Sequence, residues 1–232
     1  MKRKFDEQLD RLKDRVAGMG DIAQNMVQEA MKALVERDEK WIREVLAKEE
    51  QVDKLQLEID NDAIRLMAIQ SPVAQDLRFI LMVVRITTEI ERVGDLCVNM
   101  CENVQLLLSE PPLKPLIDLP KMAEISSRML RESLQAFMEG SPEKAMFVLK
   151  SDDEVDALND QIFRELLTYM MSDMRNIPRS LSLILMARNL ERIGDHATNI
   201  AEEVVYLVKG EDIRHKHPAG EKDRMEKGHS GE

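Results

Sequence analysis

Residues 91–100, ERVGDLCVNM, are repeated 100 residues later as residues 191–200, ERIGDHATNI. Both copies share the pattern E-R-[VI]-G-D-x-x-x-N. A second pair lies upstream, where EEQVDKL at 49–55 resembles DDEVDAL at 152–158. Paired motifs of this kind are typical of a chain built from two copies of one structural unit.

Helical periodicity surrounds both copies of the motif. Apolar residues recur at spacings of three and four along most of the chain, and no segment shows a convincing strand pattern. Composition points the same way, because only nine glycines and 3% aromatic residues stand beside sixteen methionines and many other helix formers. The sequence therefore predicts an all-α fold with three helices in each half.

The clearest boundary between the halves is the segment 109–120, SEPPLKPLIDLP, which holds four prolines. Proline cannot continue a helix, and it restricts the residue that precedes it. We therefore predict two tandem, repeat-related three-helix bundles, at 1–108 and 121–210, joined by this proline-rich linker. The remaining residues, 211–232, are charged and nearly free of apolar side chains, which predicts a flexible tail.

Short signals predict where individual helices begin and end. Asp38 is a suitable N-cap for the second helix, and the pairs Ser-Pro at 71–72 and 141–142 are expected to start the third and fifth helices. Gly140 suits the end of the fourth helix, because glycine readily adopts the left-handed conformation found there.

Charge and cysteine content exclude several classes of protein. Thirty-three basic against 44 acidic residues give a net charge of −11, which argues against a nucleic-acid-binding protein. No apolar run is long enough to cross a membrane, and the N-terminus lacks the apolar region of a secretory signal. The two cysteines, Cys97 and Cys101, predict buried free thiols in a reducing compartment, so we expect a cytoplasmic protein without direct membrane insertion.

The repeated motifs carry four acidic pairs at i, i+4. On a helix such residues lie one turn apart on the same side, so their carboxylates repel unless a cation lies between them. If the helices that carry the upstream and downstream motifs pack side by side, four carboxylates converge in each half. Each pair is also typical of an ordinary solvated helix face. Oxygen ligands alone would favour Mg²⁺, Ca²⁺, Mn²⁺ or iron over a structural zinc.

Other residues of the motif have structural interpretations. Gly94 and Gly194 fall on the apolar side of their helices, where a missing side chain would allow close packing. His196 lies about a quarter turn from the acidic stripe, which indicates a surface or interface residue. With no second helical histidine and no Glu-x-x-His pair in a helix, the residues predict a binding protein without a catalytic site.

The regions 72–100 and 187–211 resemble signatures of the phosphate-specific transport system accessory proteins, the PhoU family. They read PVAQDLRFILMVVRITTEIERVGDLCVNM and ARNLERIGDHATNIAEEVVYLVKGE, and the resemblance covers about residues 1–210. It implies a pair of three-helix bundles and a homodimer.

The resemblance also implies multinuclear iron or zinc sites at the acidic motifs. The implied metal ligands are Glu49, Asp53, Glu91 and Asp95 in the first half, and Asp152, Asp156, Glu191 and Asp195 in the second. The identity of the metal stays open between iron or zinc, which the resemblance implies, and Mg²⁺, Mn²⁺ or Ca²⁺, which the ligand chemistry favours.

The function that the resemblance implies is regulatory. Such proteins keep the phosphate-starvation response off and restrain phosphate uptake, as adaptors between the ATPase subunit of the phosphate ABC transporter and a sensor histidine kinase. Two alternatives stay open, a metal-loaded enzyme or storage bundle and an adaptor for a different phosphate carrier.

Overall fold

The structure is a computed structural model that describes residues 4–210. All of its regular elements are helical, which confirms the predicted all-α class, and these residues include no β-strand. The six α-helices are α1 (Lys4–Glu36), α2 (Glu39–Gln70), α3 (Ala74–Leu108), α4 (Asp118–Glu139), α5 (Pro142–Ser172) and α6 (Ile177–Lys209), and a short 3₁₀ helix (Met174–Asn176) precedes α6. The predicted flexible tail, 211–232, lies outside the described residues.

The helices form two three-helix bundles, as the repeat predicts. Helices α1, α2 and α3 pack against one another, and so do α4, α5 and α6. The bundles meet along α3 and α6 and along α1 and α4, and one apolar core continues from the first bundle into the second. Most of the free energy that holds the bundles together therefore comes from burial of the apolar faces of the helices. The predicted domain limits, 1–108 and 121–210, stay predictions.

The proline-rich segment ends earlier than the sequence indicates. Helix α4 begins at Asp118, so the last residues of the predicted linker 109–120 belong to the helix. Pro120 lies in the first turn, where the backbone N–H groups have no partner within the helix and a missing N–H costs little. Leu119 is buried and anchors this turn in the core.

Two of the predicted helix starts are confirmed, and one is wrong. Asp38 accepts a hydrogen bond of 2.8 Å from the backbone of α2, and Ser141 caps α5 in front of a proline. Ser71, by contrast, ends α2 in the left-handed conformation with φ 44°, and α3 begins only at Ala74. A residue that closes one helix in this way cannot also cap the next helix.

Candidate functional site

The first acidic cluster lies where α2 packs against α3. It consists of Glu49 and Asp53 from α2 and Glu91 and Asp95 from α3. The two glutamates are half-buried and the two aspartates are exposed. Helix geometry explains this difference in exposure. The glutamates lie beside the apolar stripe of their helices, and the aspartates, one turn later, lie closer to solvent.

The four side chains of the first cluster influence one another electrostatically. Burial raises the pKa of Glu49 above its usual value, and the charges of Asp53 and Asp95 raise it further. Burial also raises the pKa of Glu91, with Asp95 and Asp53 adding to the effect and the neighbouring arginine opposing it. The acidic side chains of α2 and α3 therefore lie close enough for their charges to interact across the helix pair.

The second acidic cluster repeats this arrangement where α5 packs against α6. It consists of Asp152 and Asp156 from α5 and Glu191 and Asp195 from α6. Burial raises the pKa of Glu191, and the charges of Asp195 and Asp156 raise it further. Burial and the charge of Asp156 likewise raise the pKa of Asp195. Asp152 is half-buried, and a Cβ placed on Gly194 of α6 would lie 3.5 Å from its Oδ1 atom.

Two acidic residues that the sequence interpretation did not include act on these clusters. The charge of Asp160 contributes to the raised pKa of Glu191, and the charge of Glu50 contributes to that of Glu49. Asp160 lies four residues after Asp156 and continues the same face of α5. Extending the i, i+4 pattern by one turn would have found it.

The clusters have the donor chemistry of a site for a hard cation but not a closed coordination shell. All eight side chains offer carboxylate oxygens, the ligands that Mg²⁺, Ca²⁺ and Mn²⁺ prefer. Within residues 4–210, however, no three histidine, cysteine or acidic side chains are arranged to hold a metal ion together. Binding would therefore require the carboxylates to move toward each other, and the ligand assignment stays a prediction.

The two motif glycines lie in the core, as predicted, but the packing does not require glycine at either position. A Cβ on Gly94 would meet Met26 and Val52 at 3.6 Å, an ordinary van der Waals distance. The nearest atom to a Cβ on Gly194 lies 3.5 Å away. The neighbouring helices therefore leave room for a methyl group at both positions, so the close packing does not depend on the missing side chain.

His196 lies at the interface between the bundles, in agreement with one of the two predicted locations. Its Nδ1 atom is 2.7 Å from Oε2 of Glu89 on α3, and Asn199 donates a hydrogen bond of 2.9 Å to the same oxygen. Glu89 also pairs with Arg92 at 3.1 Å. The sequence interpretation missed Glu89, since His196 and Asn199 lie 107 and 110 positions away in the chain.

Comparison with known proteins identifies the family. The sequence model of the PhoU domain matches this chain twice, at residues 16–104 and 119–204. The chain belongs to the PhoU family. The two matches fall on the two bundles, so the internal repeat corresponds to two PhoU domains.

Named members of the PhoU family resemble the chain over nearly its whole length. The phosphate-specific transport system accessory protein PhoU homologue of Xylella fastidiosa is 40% identical over 209 residues, covering 90% of this chain and 88% of that protein. PhoU homologue 2 of Thermotoga maritima is 38% identical over 217 residues, covering 94% of this chain and 92% of that protein. Both relatives are named accessory proteins of phosphate transport.

Solved PhoU structures share the fold. PhoU from Pseudomonas aeruginosa superposes with a TM-score of 0.86 at 32% identity, covering 90% of this chain and all of that one. PhoU from Streptococcus pneumoniae, described as a phosphate transport system regulatory protein, superposes with a TM-score of 0.82 at 27% identity. The superposition covers 90% of this chain and 99% of that chain. Among the described helices of the present chain, none has a stretch long and apolar enough to cross a membrane.

Proposed function

We propose that this chain is a non-enzymatic negative regulator of the phosphate-starvation response and of phosphate uptake. It works in the cytoplasm as an adaptor between the ATPase subunit of the phosphate ABC transporter and a phosphate-sensing histidine kinase. The observation that carries the proposal is the match of both halves to relatives named as accessory proteins of phosphate-specific transport.

The surface of α5 supports a role in binding proteins. Phe163, Leu167 and Met171 follow one another at i, i+4 spacing, and their exposed fractions are 46%, 38% and 88%. Large apolar side chains in a continuous exposed row are typical of interaction surfaces. This row, which we call the α5 apolar row, suits either a partner protein or the second subunit of the proposed homodimer.

We further propose that the two acidic clusters bind divalent or trivalent cations. The support is electrostatic, because half-buried carboxylates that raise one another's pKa gain from a cation placed between them. Iron or zinc follows from the family resemblance, and Mg²⁺, Mn²⁺ or Ca²⁺ from the all-oxygen donor set. The cation would organise the cluster surfaces and would take no part in catalysis.

Alkaline phosphatase activity in phosphate-replete cells tests the regulatory function. Deleting the gene should raise the activity, and the wild-type gene should return it to the low level. If the activity stays low after deletion while phosphate uptake changes, the chain serves a different phosphate carrier. If neither activity nor uptake changes, the proposed regulatory function is wrong.

A binding experiment tests the adaptor role directly. The Leu167→Glu variant places a charge in the α5 apolar row and should reduce co-purification with the transporter ATPase subunit, with the kinase, or with a tagged second copy. Leu57→Glu is the matched control, since Leu57 is 63% exposed on α2. Equal loss in both variants would contradict a specific role for this row.

A further inference from the structure

A cavity of about 410 Å³ lies between α1 and α4, where the two bundles meet. Helix α1 contributes Gln28 and Lys32 to its wall, and α4 contributes Ser127, Arg128 and Arg131. None of the residues that line it belongs to the two acidic clusters. The cavity is therefore separate from the proposed cation sites.

Basic side chains predominate in the lining of the cavity, although the chain as a whole has a net charge of −11. Lys32, Arg128 and Arg131 line it, and the single carboxylate in the lining is that of Glu124. The ammonium group of Lys32 lies over the ring of Trp41, 4.7 Å from its centroid. The lining as a whole favours an anion.

The two arginines of the cavity form long ion pairs with acidic side chains. The nearest paired carboxylate oxygen is 3.9 Å away for Arg128, from Glu154, and 3.8 Å away for Arg131, from Glu132. Both distances exceed those of a charge-assisted hydrogen bond, about 2.7–2.9 Å. Within residues 4–210, therefore, each arginine forms an ion pair with a carboxylate but donates no charge-assisted hydrogen bond to it, so its N–H groups can donate to a ligand.

Two buried polar atoms of the lining have no hydrogen-bond partner among the residues that the structure describes. They are Oγ of Ser127, whose residue is only 4% exposed, and Nε of Arg128. A buried polar atom without a partner destabilises a protein, so such atoms are rare, and a bound water or ion is one arrangement that satisfies them. A single ligand rich in acceptor oxygens could accept hydrogen bonds from the hydroxyl and the guanidinium together.

We infer that this cavity binds the phosphoryl group of an anionic ligand. A phosphoryl group carries up to three free oxygens and about two negative charges, which suits two guanidinium groups, one ammonium group and a hydroxyl donor. The cavity is larger than one phosphate ion. Its occupant is therefore either inorganic phosphate with water or the phosphate group of a phosphorylated small molecule such as a nucleotide. The inference goes beyond the proposed adaptor function and does not depend on it.

Isothermal titration calorimetry of the full chain tests the site with two probes, inorganic phosphate and adenosine monophosphate. Sodium chloride at matched ionic strength controls for screening. We expect saturable binding with a Kd of about 1 mM or tighter. Arg131→Gln should weaken binding roughly tenfold, and Ser127→Ala should weaken it less. Arg43→Gln, at an exposed position of α2 outside the cavity, should leave it unchanged.

Each outcome of the titration decides between the possibilities. Binding of both probes supports the site with free phosphate as a sufficient ligand, and binding of the nucleotide alone supports a phosphorylated molecule. No saturable binding by the wild-type chain, or equal weakening in Arg43→Gln and Arg131→Gln, would overturn the inference. Circular dichroism establishes that the variants keep their helical content, so a folding defect cannot pass for lost binding.

Discussion

The Nδ1 atom of His196 lies 2.7 Å from Oε2 of Glu89, and this contact joins α6 of the second bundle to α3 of the first. Burial by itself would raise the pKa of Glu89. Hydrogen bonds from His196 and Asn199, together with the charges of His196 and Arg92, outweigh that effect and hold the pKa below its usual value. His196 and Glu89, which we call the Glu89–His196 pair, therefore form a polar contact in a largely apolar interface between the bundles.

Replacing His196 of the Glu89–His196 pair should destabilise the protein. His196→Leu introduces the apolar residue found at the corresponding position of the first repeat, Leu96, and removes the contact with Glu89. Glu89 loses its shortest hydrogen bond, and we expect the free energy of unfolding to fall by about 1–3 kcal/mol in urea denaturation at pH 7. His196→Gln, which retains a donor, should lose less. Equal losses would assign the effect to packing instead.

The Glu89–His196 pair should also make the free energy of unfolding depend on pH in the acid range. Because the pKa of Glu89 is lowered in the folded state, the group contributes stability above its unfolded value of 4.5 and loses that contribution as pH falls through the folded value. The free energy of unfolding of the wild type should therefore fall toward that of Glu89→Gln below pH 4.5. A constant difference between the two proteins from pH 7 to strong acid would contradict this assignment.

Replacement by alanine should have opposite effects on stability at two glycines of α1, Gly18 and Gly20. Nothing lies within 4 Å of a Cβ added to Gly18, so Gly18→Ala should raise the free energy of unfolding by about 0.5–1 kcal/mol through helix propensity. A Cβ on Gly20 would overlap the Cδ1 methyl of Leu134 on α4. Gly20→Ala should therefore lower the free energy of unfolding, because overpacking costs about 1–3 kcal/mol. Equal stabilisation would mean that Leu134 moves aside freely.

The two thiols should be unreactive in the folded protein. Cys97 and Cys101 are free and buried, in agreement with the sequence interpretation. Burial raises the pKa of Cys101 to about 12, so the reactive thiolate is scarce at pH 8. We expect iodoacetamide to label both residues far more slowly in buffer than in urea. Rapid labelling without denaturant would indicate local opening of α3.

Removing one carboxylate from the first acidic cluster should stabilise the metal-free protein. Glu91→Gln relieves repulsion by Asp95 and Asp53, and we expect the free energy of unfolding at pH 7 to rise by about 0.2–0.5 kcal/mol. Because the pKa of Glu91 is raised, the wild type should lose stability relative to the variant as pH increases above 4.5. Glu44→Gln, an exposed glutamate elsewhere on α2, should change little.

The same variants test cation binding. Thermal unfolding in a chelator and then with Mg²⁺, Mn²⁺, Zn²⁺ or Fe²⁺ should give an increase in Tm for the wild type and Glu44→Gln, because a ligand that binds only the folded state stabilises it. The increase should be smaller for Glu91→Gln. If none of these ions raises the Tm of the wild type, the proposal for the acidic clusters is wrong.

The helices and the carboxylate faces could be predicted because both depend on local spacing. Apolar residues three and four apart, the Asp38 cap and Gly140 each act within one or two turns of their own helix. The start of α3 could not be predicted in this way. Whether Ser71 ends one helix or begins another depends on how the chain must turn between two packed helices, and its own residue type permits both.

The sequence alone determined the all-α class, the two repeat-related bundles and which acidic residues share a helix face, since all three follow from periodicity within a helix and from the repeat. The contacts between residues of different helices depend instead on how the helices pack in three dimensions. The Glu89–His196 contact and the cavity with Ser127 depend on how far each helix is rotated and shifted against its neighbour. Side-chain packing sets these displacements collectively, so no single stretch of sequence records them.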